Sequence, residues 1–328
     1  MANENMEEKK LAAAKAAYQT LCKVIESHNW YYEKEEENLA IETQFRGNDL
    51  TLQLRIRVDA PHQVIILNSK LPFNVQKEQA VNIAAAINYI NKNISDGAFN
   101  FNLQYGSIYF RCTEFFAESL ISDDVFDGLI QKSLREVDRY NDYLLYLSTG
   151  VKSVDDFIAY ANSIEDPLQE PEEKVVKKGK EILENLCAYM DENQWKYQKD
   201  EEDFSASIAF QTEDLDLYLH FFVDVHEEVV RVLSMLPINV TEAGITPCII
   251  AACETNYMLK DGDFLYDFKN NAIFFKLTSS FKNSLISKAF LKHMFDFAYD
   301  VIDIYNDKFA ALNDGTMTLE EYMTWLND

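Results

Sequence analysis

Residues Trp30–Asp59 read WYYEKEEENLAIETQFRGNDLTLQLRIRVD, and residues Trp195–Asp224 read WKYQKDEEDFSASIAFQTEDLDLYLHFFVD. The two stretches align without a gap at an offset of 165, pairing Trp30 with Trp195, Tyr32 with Tyr197, Phe45 with Phe210, Asp49 with Asp214 and Asp59 with Asp224. The offset persists outward in both directions. Leu21-Cys22 meets Leu186-Cys187, Leu71-Pro72 meets Leu236-Pro237, and Asn74-Val75 meets Asn239-Val240. Asn91 meets Asn256, Gly97-x-Phe99 meets Gly262-x-Phe264, and Ser119–Ser122 meets Ser284–Ser287. Tyr140–Asp142 meets Tyr305–Asp307, and Gly150 meets Gly315. Solenoid repeats run about 20–50 residues, so this period indicates a duplicated domain. The expected division is residues 8–163 as one copy, 164–172 as an acidic linker with two prolines, and 173–328 as the other copy.

Within the first copy, Leu11, Ala14, Tyr18, Leu21, Cys22 and Ile25 recur at spacings of three and four, which predicts an amphipathic helix over 8–28. Trp30 and Tyr32 open a short strand. Leu39, Ile41, Thr43 and Phe45 alternate with polar residues, and so do Leu50, Leu52, Leu54, Ile56 and Val58, giving two strands around the turn Arg46–Asp49. Gln63–Ser69 is a fourth, more uniformly apolar strand, and Pro72 is expected to close the meander. Ala80, Ile83, Ala84, Ile87 and Ile90 mark a helix over 76–94. Phe99, Phe101 and Leu103, then Ile108 and Phe110, mark a hairpin, and a long helix over 121–147 follows. Ser153–Asp156 and Thr318–Glu321 are capping boxes that open short last helices. The fold class is therefore α+β: two tandem copies of an α-β4-α-β2-α domain, each an antiparallel sheet with helices packed on one face.

Composition bounds the class of protein. Hydrophobic residues make up 48% of the chain, with 22 Phe and 18 Tyr, enough to fill two cores. No run of 18 apolar residues occurs, so no membrane span is expected, and the charged start lacks the apolar segment of a secretory signal. The net charge is −25, which repels phosphate backbones and argues against direct nucleic-acid binding. Cys22, Cys112, Cys187, Cys248 and Cys253 are odd in number and contain no CxxC, so they are expected to be reduced and mostly buried in a cytoplasmic protein.

Candidate chemistry is sparse. Asn313–Glu321 ends like a calcium loop with Gly315 at position six and Glu321 at twelve. Positions one and three would then be Ala310 and Leu312, which cannot ligate, and the first copy has Leu145 and Leu147 there. A helix-ending glycine followed by a capping box explains the pattern. His28, His62, His220, His226 and His293 are not matched between copies and lack metal-ligand spacing. The acidic runs Glu33–Glu37 and Asp200–Asp203 sit in polar turns, where carboxylates stay solvated. No GxSxG, Walker A or GxGxxG occurs. Ser122 and Ser287 read as helix N-caps. Asn91 and Asn256 are expected to satisfy loose backbone groups where a helix meets a strand. Between copies, Arg55 and Arg57 become His220 and Phe222, Arg111 becomes Lys276, and Ala80–Asn82 become Ile245–Pro247. No catalytic, cofactor-binding or metal-binding residue is assigned, and no cofactor is expected.

The succession of Trp/Tyr-x-Tyr and an acidic turn, Leu-Pro before a helix, Asn at the helix end, Gly-x-Phe, a hairpin ending Ile-x-Phe-Arg/Lys and a long final helix resembles the YbjN family. Members of that family are similar in fold to type III secretion chaperones. The resemblance covers each copy nearly end to end, so it implies a tandem pair. It implies a bacterial cytoplasmic protein of regulatory or chaperone-like character, with no established catalytic residues to carry over. The fused copies would then stand for a homodimer, an intramolecular pseudo-dimer that is itself monomeric or weakly dimeric.

The function expected is a non-enzymatic module that binds a polypeptide partner through sheet edges or an apolar groove. The alternative is a small-molecule-binding protein or enzyme with a cleft between the two copies, recognisable by convergent polar groups in a deep pocket. A third reading, an acidic mimic of DNA, would need acids spaced along one face.

Overall fold

A computed structural model describes residues 2–47, 50–117, 121–164, 170–211, 216–282 and 286–327. Asn48, Asp49, Asp214, Ser119, Leu120, Ser284, Leu285 and most of the expected linker lie outside the described residues. The N-terminal half runs α1 (Ala2–Ser27), β1 (Tyr32–Glu35), β2 (Ala40–Arg46), β3 (Thr51–Asp59), β4 (Val64–Asn74), α2 (Ala80–Asn93), β5 (Ala98–Asn102), β6 (Ser107–Phe115), α3 (Asp123–Ser148) and α4 (Val154–Ser163). The C-terminal half runs α5 (Glu173–Glu192), β7 (Tyr197–Asp200), β8 (Ser205–Gln211), β9 (Asp216–Asp224), β10 (Val229–Met235), α6 (Ile245–Met258), β11 (Asp263–Asp267), β12 (Ala272–Ser280), α7 (Lys288–Asp314) and α8 (Leu319–Asn327). Strands β1, β2, β3, β5 and β6 recur 165 residues on as β7, β8, β9, β11 and β12 with identical bounds.

Each half builds one six-stranded antiparallel sheet, in the order β1-β2-β3-β4-β6-β5 and its counterpart β7-β8-β9-β10-β12-β11. The strands alternate as the sequence implies: Leu52, Leu54, Ile56 and Val58 of β3 are buried, whereas Thr51 and Gln53 are exposed. Helices α1 and α3 cover the inner face of the first sheet, and α5 and α7 cover that of the second. Of the apolar stripe of α1 that the sequence predicts, Ala14, Tyr18, Leu21, Cys22 and Ile25 lie in the core, whereas Leu11, a turn before the sheet-covering stretch, is exposed.

Some boundaries differ from expectation. The first helix begins before residue 8. Pro72 does not close the meander: β4 runs on to Asn74, and its pairing with β6 shifts register between Lys70 and Asn74. An irregular pairing tolerates a residue without an N–H, which is how proline sits inside the strand. The helix expected at 76–94 opens with a 3₁₀ turn over Lys77–Gln79 before α2. Both capping boxes form. The Ser153 hydroxyl accepts from Asp156 N–H and the Asp156 carboxylate accepts from Ser153 N–H, and Thr318 and Glu321 do the same. Ser287 caps α7 by accepting from Phe290 N–H, while Ser122 holds the N-cap position of α3 without a side-chain bond. Gly315 ends α7 at φ 71°, and Gly150 stands at φ 72° just past α3, in the left-handed region that glycine enters freely.

Candidate functional site

The two halves meet through α2 and α6, which lie side by side, each also against the edge strand of the opposite sheet. The last turn of a helix leaves carbonyls without intrahelical partners. At the end of α6 those carbonyls are taken by the other half. Arg111 on β6 donates from Nη1 to Asn256 O at 3.1 Å and to Leu259 O, and from Nη2 to Tyr257 O at 3.1 Å. Lys276 stands 165 residues later on β12 and does the same for α2, donating to Asn91 O at 2.6 Å and Ile94 O at 3.0 Å. A cation at a helix C-terminus also meets the negative end of the helix dipole. The contact is therefore reciprocal, as in a two-fold interface.

Further bonds cross the junction. Asn88 donates to Cys253 Sγ at 3.4 Å and accepts from Tyr266 N–H at 3.0 Å. Glu254 accepts from Leu103 N–H at 2.6 Å, Lys92 pairs with Asp267 at 2.9 Å, and Thr113 donates to Asp261 at 2.7 Å. Burial shifts the charges held here. It lowers Lys276 to about 8 and raises the Asp263 carboxyl to about 6, although Lys276 and Arg111 pull that carboxyl down. Burial near Asp96 and Asp261 also pushes the Glu114 carboxyl well up.

The faces turned away from the helices are open beside the junction, and strand register fixes what they display. On the first sheet, Glu42, Arg55, Asn68 and Arg111 form one row across β2, β3, β4 and β6. This row is internally satisfied: Arg55 pairs with Glu42 at 2.6 Å and with Glu35 at 2.5 Å, and Arg111 Nε donates to Asn68 at 3.0 Å. The next row is Gln44, Gln53, Lys70 and Tyr109. It floors a concavity of 580 Å³, walled on one side by Tyr257 and Met258 from the end of α6. The Tyr109 and Tyr257 rings stand 6.0 Å apart at 46°.

The second sheet displays a different surface. The positions 165 residues beyond Gln53, Arg57, Asn68, Lys70 and Tyr109 hold Tyr218, Phe222, Leu233, Met235 and Phe274. Tyr218 is 48% exposed and Met235 55% exposed, while Phe222, Leu233 and Phe274 are half-buried. The first open face is thus mainly polar, while the second sets these apolar side chains among Ser207, His220 and Arg231.

Residues singled out from the sequence fall as follows. Asn91 donates to Phe99 O at 2.7 Å and accepts from Phe99 N–H at 2.8 Å; Asn256 repeats both bonds with Phe264 at 2.8 and 2.7 Å. These asparagines tie each helix end to the following strand, as expected. The five cysteines are free and buried. His28 pairs with Asp127, His62 with Asp59, His220 with Ser207, and His293 with Asp261 while stacking on Phe115; His62 and His293 line one concavity together with Lys260 and Asp261. Among the described residues no group of three or more His, Cys, Asp or Glu could hold a metal ion. No local sequence pattern points to the reciprocal work of Arg111 and Lys276. Its one sequence signal was a basic residue kept at the same offset in both hairpins.

Comparison with known proteins finds a similarity over part of the chain. Residues 17–145 match the YbjN family. That family is described as "Putative bacterial sensory transduction regulator". The matched stretch reaches from within α1 into the last turn of α3, and so contains the whole first sheet. No curated protein sequence matches the chain. Among solved structures, the Schizosaccharomyces pombe Mediator head module aligns at 11% identity over 70% of this chain and 72% of that chain. The TM-score is 0.14, so this alignment carries no argument. No helix among the described residues is long and apolar enough to cross a membrane.

Proposed function

We propose that the chain is a non-enzymatic regulatory protein that binds a polypeptide partner on the open face of its second sheet. The observation carrying this reading is the apolar surface of Tyr218, Phe222, Leu233, Met235 and Phe274, which the helices of its own half leave uncovered. Contiguous exposed apolar area on a folded chain is typical of a protein-binding surface. The description of the YbjN family as a regulator is compatible with it. The acidic charge of −25 favours a partner segment with basic flanks and disfavours nucleic acid.

In the same reading the chain is a tandem pair of YbjN-like domains, residues 8–163 and 173–328, joined by 164–172. The identical strand bounds at an offset of 165 and the reciprocal capping by Arg111 and Lys276 support a duplicated domain whose copies face one another as a pseudo-dimer. The protein would act in the cytoplasm as a monomer or weak dimer.

The test is a tagged pull-down from native lysate with mass spectrometry, run in parallel on the wild type and on Met235→Glu. A stoichiometric protein retained by the wild type and lost from the variant is the expected result. A protein retained equally by both, or no partner at all, would sink this face as the site. A second reading, small-molecule binding in a cleft between the halves, is favoured by the concavity on the first sheet.

A further inference from the structure

We propose that the concavity on the first sheet binds a small aromatic carboxylate lacking a free α-ammonium group, with the carboxylate on Lys70 and the ring against Tyr109 and Tyr257. This inference stands apart from the polypeptide reading, because it rests on the other sheet.

Its volume of 580 Å³ lies within the range of about 300–1,000 Å³ that small-molecule sites occupy. The polar groups that converge on it are unspent. Among the described residues, the side chains of Gln44, Gln53, Lys70, Tyr109 and Tyr257 make no hydrogen bond or ion pair within the protein. Register places the first four in a single row, on neighbouring strands. The charges in the adjoining row are already committed, Arg55 to Glu35 and Glu42, and Arg111 to the helix-end carbonyls. Lys70 is thus the cation left for a ligand. The tilted rings of Tyr109 and Tyr257, with Met258, make a wall suited to an aromatic body. The carboxamides of Gln44 and Gln53 can both donate and accept, which suits a ligand hydroxyl.

The opposite end narrows the class further. Glu33 lines it from β1, three strands from Lys70 on β4, or about 14 Å at the usual strand spacing. An α-amino acid carries its ammonium one carbon from its carboxylate. It could not reach Glu33 while holding Lys70, and its ammonium would sit against the lysine. An acid without that ammonium fits. The counterpart positions on the second sheet are Tyr218, Met235 and Phe274 for Gln53, Lys70 and Tyr109, so that face holds no cation at the Lys70 position.

Isothermal titration of the full chain with 4-hydroxyphenylacetate, and with 4-hydroxyphenylacetamide as the uncharged control, tests this. The acid is expected to bind saturably at one site per chain, at least about tenfold tighter than the amide. Lys70 is exposed, so Lys70→Met should melt like the wild type while binding the acid no better than the amide. Tyr257→Leu should weaken both compounds. Absence of saturable heat with the wild type, or undiminished acid binding by Lys70→Met, would overturn the proposal.

Discussion

Arg111 and Lys276 are 165 residues apart in sequence, and each donates to the carbonyls at the end of the helix that belongs to the other's half. Removing one cation strands a set of buried carbonyls and leaves Asp263 with less compensation. Arg111→Met is therefore expected to destabilise the chain by about 3–5 kcal/mol, the scale for breaking a buried charged contact from one side. Arg111→Lys should recover only part of this, because an ammonium cannot span three carbonyls as a planar guanidinium does. Urea denaturation of the two variants measures both. Equal stability of Arg111→Met and wild type would show that the junction does not depend on this residue.

Asp263 faces Lys276 across β11 and β12, and burial raises its carboxyl from 3.8 to about 6. The folded chain thus holds a proton between about pH 4 and 6 that the unfolded chain has lost, so this site's contribution is complete below that window and disappears as pH rises through 6. Wild type should gain on Asp263→Asn by about 2 kcal/mol between pH 7 and pH 4. Carboxylates that do not interact with Asp263 cancel in that difference. Parallel stability profiles for the two proteins would refute the assignment.

Asn91 and Asn256 each clamp the backbone of a phenylalanine eight residues on, through both ends of the carboxamide. Alanine in either place orphans a buried N–H and a buried C=O together, at about 2–4 kcal/mol. The paired geometry predicts similar losses for Asn91→Ala and Asn256→Ala by chemical denaturation. A loss confined to one of them would mean that one strand start finds water or another donor.

These asparagines were legible in sequence because their role is local: a polar residue near a helix end, followed by Gly-x-Phe, needs a backbone partner nearby. The strand alternation of Leu52–Val58 was legible for the same reason, since period two declares a half-buried strand wherever it occurs. Pro72 was misread because its tolerance depends on a register shift between β4 and β6, which are linked only through a helix and a hairpin. Arg111 and Lys276 have partners about 145–185 residues away, and no local pattern points across such a distance. The concavity was equally hidden, because its floor is a row across four strands and its wall comes from the other half.

Cysteine accessibility separates this packing from a looser one. All five thiols are buried, and burial alone pushes Cys248 up to about 12. Thiolate is the reactive form, so the native chain should resist Ellman's reagent at pH 8 and react at five thiols only after denaturation. Rapid labelling of Cys253 in the native state would place it outside the α2–α6 junction.

The reciprocal contacts also predict how the chain behaves when cut. A protease site inserted within 165–169 severs the connection between the halves without touching the residues that hold them together. Those residues include Arg111, Lys276, Asn88 and Glu254, each bonded to the opposite half. If these bonds and the apposed faces of α2 and α6 supply the association, the covalent link adds only effective concentration, typically in the millimolar range. The cleaved chain should then elute from gel filtration as one species of the intact mass at micromolar concentration. Cleaved Arg111→Met should dissociate at concentrations where the cleaved wild type does not. Elution of the cleaved wild type as two half-mass species would show instead that the junction forms only because the linker holds the halves together.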